Sequence, residues 1–324
     1  MDLNSATEVL LSESDPKISI EHLVTTSSLS SAGIKMSHDC FLCIKCMTPC
    51  CIEDVLQSVV YPVQKFFSFC VGQHISIDEL KFLYAGSNKY IKYYTPFTSN
   101  KKDISDSDNM PLSYIRIKDT LVKMFNSWMS FEGDLERGVS LLVSLLTFDW
   151  KMPLDLEFLA AAQMLETIAR HDQVVTELSS SRFDEYLKII EESIAIESIR
   201  KWALLKIKYS NYKSQRKLIS SLLNRLGAFT QYIIPDKNRF LNNHILLRNA
   251  YTHRSDECES SKILNGADLF WHTQAVLYLS YGAVLFYLGY TQDDIIEVFT
   301  NSNYQWYKVT EVKKFYAKGS RSMN

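Results

Sequence analysis

The residues best suited to chemistry are Arg248, Asn249 and His253, in the stretch Leu246-Leu247-Arg248-Asn249-Ala250-Tyr251-Thr252-His253. An imidazole titrates near neutrality, so His253 can give or take a proton at neutral pH. A guanidinium offers a fixed fork of donors that fits a phosphate and stabilises extra charge in a transition state. Asn249 stands four residues before His253, on nearly the same helical face, and can orient the imidazole or the phosphate. The spacing alone is weak, because Arg239 and His244 repeat it in the same helix. A plainer reading has Arg248 and His253 finishing a core helix, whose carbonyl end favours cations.

A second cluster is Cys40, Cys43, Cys46 and Cys50, spaced as in a bacterial ferredoxin but followed by Cys51 rather than Pro. Zinc, with His38 nearby, is the other metal option. Gly is missing between these cysteines, and Phe41, Leu42 and Ile44 read as a strand, on which residues three apart face opposite ways. Free, partly buried thiols are the expectation. There is no carboxylate-rich motif for a metal, and no cofactor is expected.

The elements that must position these residues are mostly helical. Few breakers (10 Gly, 7 Pro) and many aromatics (18 Tyr, 17 Phe) fit a helical protein with a bulky core. Residues 1–16 are polar and Ser-rich and are expected to be frayed. Residues 17–97 read as a small α/β module. In it, the β-prone runs Cys40–Ile44 and Lys89–Tyr94 flank a helical stretch from Ile52 to Val71, which Pro62 should kink. The polar segment 98–111 reads as a linker. From 112 to 324 amphipathic helices follow one another: 114–130, 135–148, one opening near Pro153 with Asp155 as N-cap, 182–209, 214–229, 237–253 and 267–288, with Gly289 as a left-handed stop. The fold class expected is mainly α, a helical bundle preceded by a small α/β module.

At this point a resemblance appears. HEPN nucleases carry an Arg, a polar residue and then a His after a short spacer near the end of a late helix, as Arg248, Asn249 and His253 do. The surroundings resemble the Apea-like HEPN domains of ApeA-type anti-phage proteins. An early helix is similar to Phe158-Leu159-Ala160-Ala161-Ala162-Gln163-Met164-Leu165-Glu166, and a long apolar helix after the motif ends near Leu288-Gly289. The resemblance covers roughly Leu112 to Phe299. The segment Met36 to Phe82 resembles the end of that family's N-terminal domain, whose longer β-rich beginning looks shortened here.

The resemblance implies a metal-independent endoribonuclease acting in abortive infection. The RNA 2′-hydroxyl would attack the adjacent phosphate, leaving a 2′,3′-cyclic phosphate and a 5′-hydroxyl. One His supplies one proton-transfer group, so a homodimer pairing two such helices is implied. A separate sensor or antitoxin-like partner chain would account for the short N-terminus. The alternative is a non-catalytic HEPN-like interaction or scaffold module.

A net charge of −2 does not announce a nucleic-acid binder, so RNA affinity requires a local surface. Arg200 to Arg225 supplies one, with eight basic residues and no acidic ones. Lys206, Lys208, Lys213, Arg216 and Lys217 are its candidates, with Trp202, Tyr209 and Tyr212 for stacking and Tyr251 and Arg254 beside the motif. The preceding 184–197 stretch is acidic. Glu166, Arg170 and His171 on the early helix can also face the cleft, although surface ion pairing is the default for them. The start carries no secretory signal, and a cytoplasmic location is expected. The apolar run Leu269–Tyr290 is read as a buried bundle helix rather than a membrane span.

Overall fold

The computed structural model describes residues 5–30, 33–48, 50–77, 79–83, 90–93, 109–147, 152–208, 210–252, 264, 266–301 and 303–317. These fall into two compact units, Met1–Phe131 and Glu132–Asn324.

The first unit opens with an antiparallel three-stranded meander: β1 (Ser5–Ser12), β2 (Lys17–Ser30) and β3 (Gly33–Lys45). Residues 5–12 were expected to be frayed. Instead they pair with β2 from Ser5↔Val24 onward, and Leu11 is fully buried. The run Cys40–Ile44 lies in β3, as its bulky residues require. Tyr90–Tyr93 (β5) pairs with Leu80–Leu83 (β4).

Between the sheets run α1 (Ile52–Val55), a π-helical turn over Leu56–Val60 and α2 (Tyr61–Val71). Pro62 sits at the start of α2. The wide turn just before it accommodates a residue that cannot donate to the helical ladder. The short helices α3 (Tyr114–Ile117) and α4 (Leu121–Met129) belong to this unit rather than to the bundle that follows. The reason is aromatic packing. Phe66 meets Phe125 and Trp128 edge-on, and the Trp128 indole donates to the Pro62 carbonyl at 3.0 Å. Of the cysteines, Cys70 is buried and burial pushes its thiol up; Cys46, half-buried beside Cys50, is raised to about 11 by the same cause. Among the described residues no group of three or more His, Cys, Asp or Glu is arranged to hold a metal; the Cys40 side chain lies outside them.

The second unit is a bundle around α11 (Gly266–Tyr287), in which every residue from His272 to Leu285 is buried. Against it pack α5 (Gly133–Thr147), α6 (Leu154–Arg170), α9 (Gln215–Ile233), α12 (Gln292–Asn301) and α13 (Asn303–Ala317). Each large apolar side chain so enclosed contributes about 1.5–3 kcal/mol. The apolar run is thus the bundle's central helix, and among the described residues no helix is long and apolar enough to cross a membrane. Gly289 is left-handed at φ 96°, as expected of its place. Helix α6 is capped at Pro153, not Asp155, which sits in the first turn beside Glu157 where negative charge suits the helix dipole.

Two interruptions were not foreseen. The stretch 182–209 is not one helix but a hairpin, α7 (Ser180–Ser193) and α8 (Glu197–Ile207), with Ile194 and Ile196 extended at the bend. Helix α9 is broken at Gly227, φ 44° and ψ −112°. The Gln292 side chain fills the break, accepting from the Ala228 amide at 2.7 Å and donating to the Arg225 carbonyl at 3.1 Å.

Candidate active site at the end of the Arg248 helix

Helix α10 (Lys237–Thr252) packs on α6 and α9 and carries Arg248 and Asn249 in its last two turns. Its inner face is set by Phe240, Leu241, His244 and Leu247. Leu247 and the half-buried Tyr251 close on Phe158, Ala162 and Leu269, with the Tyr251 and Phe158 rings 6.0 Å apart. That seam fixes the rotation of α10 and so decides where Arg248 points.

It points at Glu166. The Arg248 Nε lies 3.4 Å from Glu166 Oε1, and the side chains are 28% and 6% exposed. Glu166 is therefore a nearly buried carboxylate holding a partly exposed guanidinium. Burial raises its pKa above the usual carboxylate range, while Arg248, a hydrogen bond from Gln215, and Arg170 act in the opposite direction. The end of α6, the start of α9 and the end of α10 thus meet at one point. Asn249 is exposed beside it. His253 and Arg254 lie outside the described residues. His171, also considered for the cleft, instead packs edge-on against Tyr287 and pairs with Asp172 at 3.2 Å.

The competing pair Arg239 and His244 forms no such site. The His244 ring is fully buried, both its nitrogens lack a partner, and burial followed by the charge of Arg248 depresses its pKa to about 4. It belongs to an aromatic layer with Phe158, Phe240, His272 and Tyr316. In that layer His272 Nδ1 shares a hydrogen bond with the Tyr316 hydroxyl. Arg239 lies over the Phe315 ring, 4.9 Å from its centroid, and donates to the Phe315 carbonyl. A phosphate has no access to the His244 ring, and Arg239 is engaged by Phe315.

The basic candidates are split. Arg216 donates to Asn242 at 2.7 Å, and Lys217 pairs with Glu177 at 2.7 Å; both follow Gln215 at the start of α9, next to Glu166. Lys206 and Lys208 are exposed at the end of α8, and Lys213 is half-buried. Tyr251 is committed to Phe158 rather than free to stack a base. Tyr209 lies outside the described residues.

Residues 159–294 match the Apea-like HEPN family, and residues 3–128 match ApeA N-terminal domain 1. The chain is an ApeA-type HEPN protein. The N-terminal match reaches back to β1, well beyond the Met36–Phe82 resemblance read from sequence. The HEPN match takes in both Glu166 and Arg248. HEPN domains are for the most part ribonucleases, and they often act as dimers. No curated protein and no solved structure matches the chain significantly.

Proposed function

We propose that this ApeA-type protein is an endoribonuclease effector of anti-phage defence, acting as a homodimer by metal-independent transesterification. The observation that carries the reading is Arg248 in an HEPN-matched helix, partly exposed and paired with the nearly buried Glu166. A guanidinium oriented by a buried carboxylate is pre-positioned for an arriving phosphate.

His253 of one copy takes the proton of the RNA 2′-hydroxyl, and the resulting oxygen attacks phosphorus. Arg248 stabilises the added negative charge. The bond to the 5′-oxygen breaks as that oxygen receives a proton from His253 of the second copy, leaving a 2′,3′-cyclic phosphate and a 5′-hydroxyl. Asn249 orients the imidazole or the phosphate. Lys208, Lys213, Arg216, Lys217 and Arg254 would hold the RNA backbone, with Tyr251 supporting the helix end. A separate sensor chain would set when cutting starts.

A second reading, a non-catalytic HEPN-like scaffold, is favoured by one fact: the charge of Arg248 is already met by Glu166. RNA cleavage in EDTA by wild type, Arg248→Ala and His253→Ala separates the two. The nuclease reading requires cleavage that both substitutions abolish. A folded wild type that cuts no RNA, or variants that cut as well as wild type, support the scaffold.

A further inference from the structure

Helices α7 and α8 stand apart from the rest of the bundle. Each packs chiefly on the other, and neither buries a single side chain. Phe183, Leu187 and Ile190 on α7 and Ala203, Leu204 and Ile207 on α8 recur at helical spacing and are only half-buried, forming the seam of the hairpin. At about 100° per residue, Tyr186 and Ile189 on α7 and Ile199 and Trp202 on α8 fall on the same side of that seam. All four are exposed, Trp202 at 61%. Ile196 at the bend and Leu205 on the far flank of α8 add further exposed apolar surface, Leu205 at 67%. Together these side chains offer several hundred Å² of apolar surface, the size at which a patch marks an interaction site.

Helices of 14 and 11 residues with no buried face do not owe their stability to propensity; they need a surface to pack on. Yet the hairpin is held firmly at its root. Thr176 bridges Tyr212, the Lys213 amide donates to the Val175 carbonyl at 2.8 Å, and the Asn211 side chain both accepts from the Leu178 amide at 2.8 Å and donates to its carbonyl at 3.0 Å. The result is a rigidly mounted arm with an uncovered apolar face.

The charges select the occupant. Helix α7 carries Asp184, Glu185, Glu191 and Glu192 against Arg182 and Lys188, four acids less two bases, a net −2. Helix α8 carries Arg200, Lys201 and Lys206 against Glu197, three bases less one acid, a net +2. At about 100° per residue, Glu185 and Glu192 flank the apolar strip on α7 while Lys206 lies on the strip side of α8, so a nucleic acid laid on this face would meet acids on α7. A second copy related by a two-fold axis along the arm puts α7 on α8 of its mate, acid on base, twice over.

We propose that the α7–α8 arm is the dimerisation element of this protein, forming a four-helix bundle with the same arm of a second copy. A stable interface needs roughly 800 Å² per partner, to be drawn from the apolar strip and the stems of its flanking charges. In that arrangement both arm roots lie at one end of the bundle. Each root runs directly into Gln215, the residue that hydrogen-bonds Glu166 beside Arg248, so the two sites are brought to the same end. This deepens the proposed function and rests on it for the meaning of the pairing, since one chain supplies one His253.

The test is light-scattering mass after size exclusion, over a hundredfold range of concentration, on the full chain. Wild type is expected at twice the chain mass. Glu185→Lys/Glu192→Lys and, separately, Lys206→Glu are expected to weaken the dimer at least tenfold, because like charges then face each other in both halves. Mixing the two variants, or combining all three substitutions in one chain, restores attraction in both halves and should recover the dimer. That rescue excludes misfolding as the cause. A wild-type monomer, arm variants that dimerise as wild type, a mixture that stays monomeric, or an arm that only added RNA protects would each overturn the proposal. Cleavage assays on the same samples keep the two ideas separable. Variants still dimeric and still cutting defeat the arm alone, whereas arm-dependent dimers that never cut defeat the nuclease alone.

Discussion

Replacing His244 by Leu should make the helical unit more resistant to acid while leaving it folded at neutral pH. The His244 ring is fully buried among Phe158, Phe240 and His272, with Arg248 one turn further along its own helix and neither ring nitrogen partnered. Its folded pKa is depressed from 6.5 to about 4. The unfolded chain therefore binds a proton between these values that the folded chain refuses, and stability is lost as pH falls through that window. A gap of two to three units corresponds to about 3 kcal/mol from this one group. His272, pushed well below its usual value by burial and then by His244, acts in the same direction. Urea unfolding of wild type and His244→Leu at pH 7, 5.5 and 4.5 measures the difference directly. Carboxylates elsewhere titrate equally in both proteins and cancel. The curves should diverge as pH falls, with the variant gaining about 3 kcal/mol relative to wild type at the acid end. Parallel loss of stability in the two proteins would refute the reasoning.

Three further outcomes follow from particular contacts. Glu166→Ala releases the guanidinium of Arg248 and should lower the cleavage rate on the order of a hundredfold, with Glu166→Gln intermediate; steady-state kinetics showing a fall in kcat larger than any rise in KM would confirm a positioning role. Gln292→Ala leaves the Ala228 amide and the Arg225 carbonyl at the break in α9 without their partner, which should cost about 1 kcal/mol in urea unfolding. Gly282→Ala drives a methyl group into the Phe229 ring, and a loss of about 1–3 kcal/mol or more, read as a lowered Tm, is expected.

Much of the helical unit was legible because its signals are local. The largely apolar run of α11, interrupted by His272, Thr273, Gln274 and Ser280, reads as a core helix, and all four of these residues are buried in the bundle. The Arg248-Asn249 step is likewise a local pattern. What escaped was set by distant partners. Glu166 and Arg248 are 82 positions apart, so no spacing rule joins them, and Glu166 looked like an ordinary helix-surface acid until packing buried it. Ser193-Ile194-Ala195-Ile196 continues an apolar helical pattern. The chain bends there because the half-buried faces of α7 and α8 can then meet. The serines of Ser5–Ser12 disguised an edge strand whose stability comes from pairing with β2. Arg239 and His244, identical in spacing to the favoured pair, are set aside by the complete burial of the His244 ring, which no spacing rule reveals.

The ends left in a cut RNA report the chemistry of Arg248 and His253 most directly. A defined single-stranded RNA, incubated with the full chain in EDTA and analysed by mass spectrometry, should yield 2′,3′-cyclic phosphate and 5′-hydroxyl termini. Arg248→Ala and His253→Ala proteins of unchanged Tm should yield none. Fragments ending in 3′-hydroxyl and 5′-phosphate, or undiminished cutting by Arg248→Ala, would contradict it.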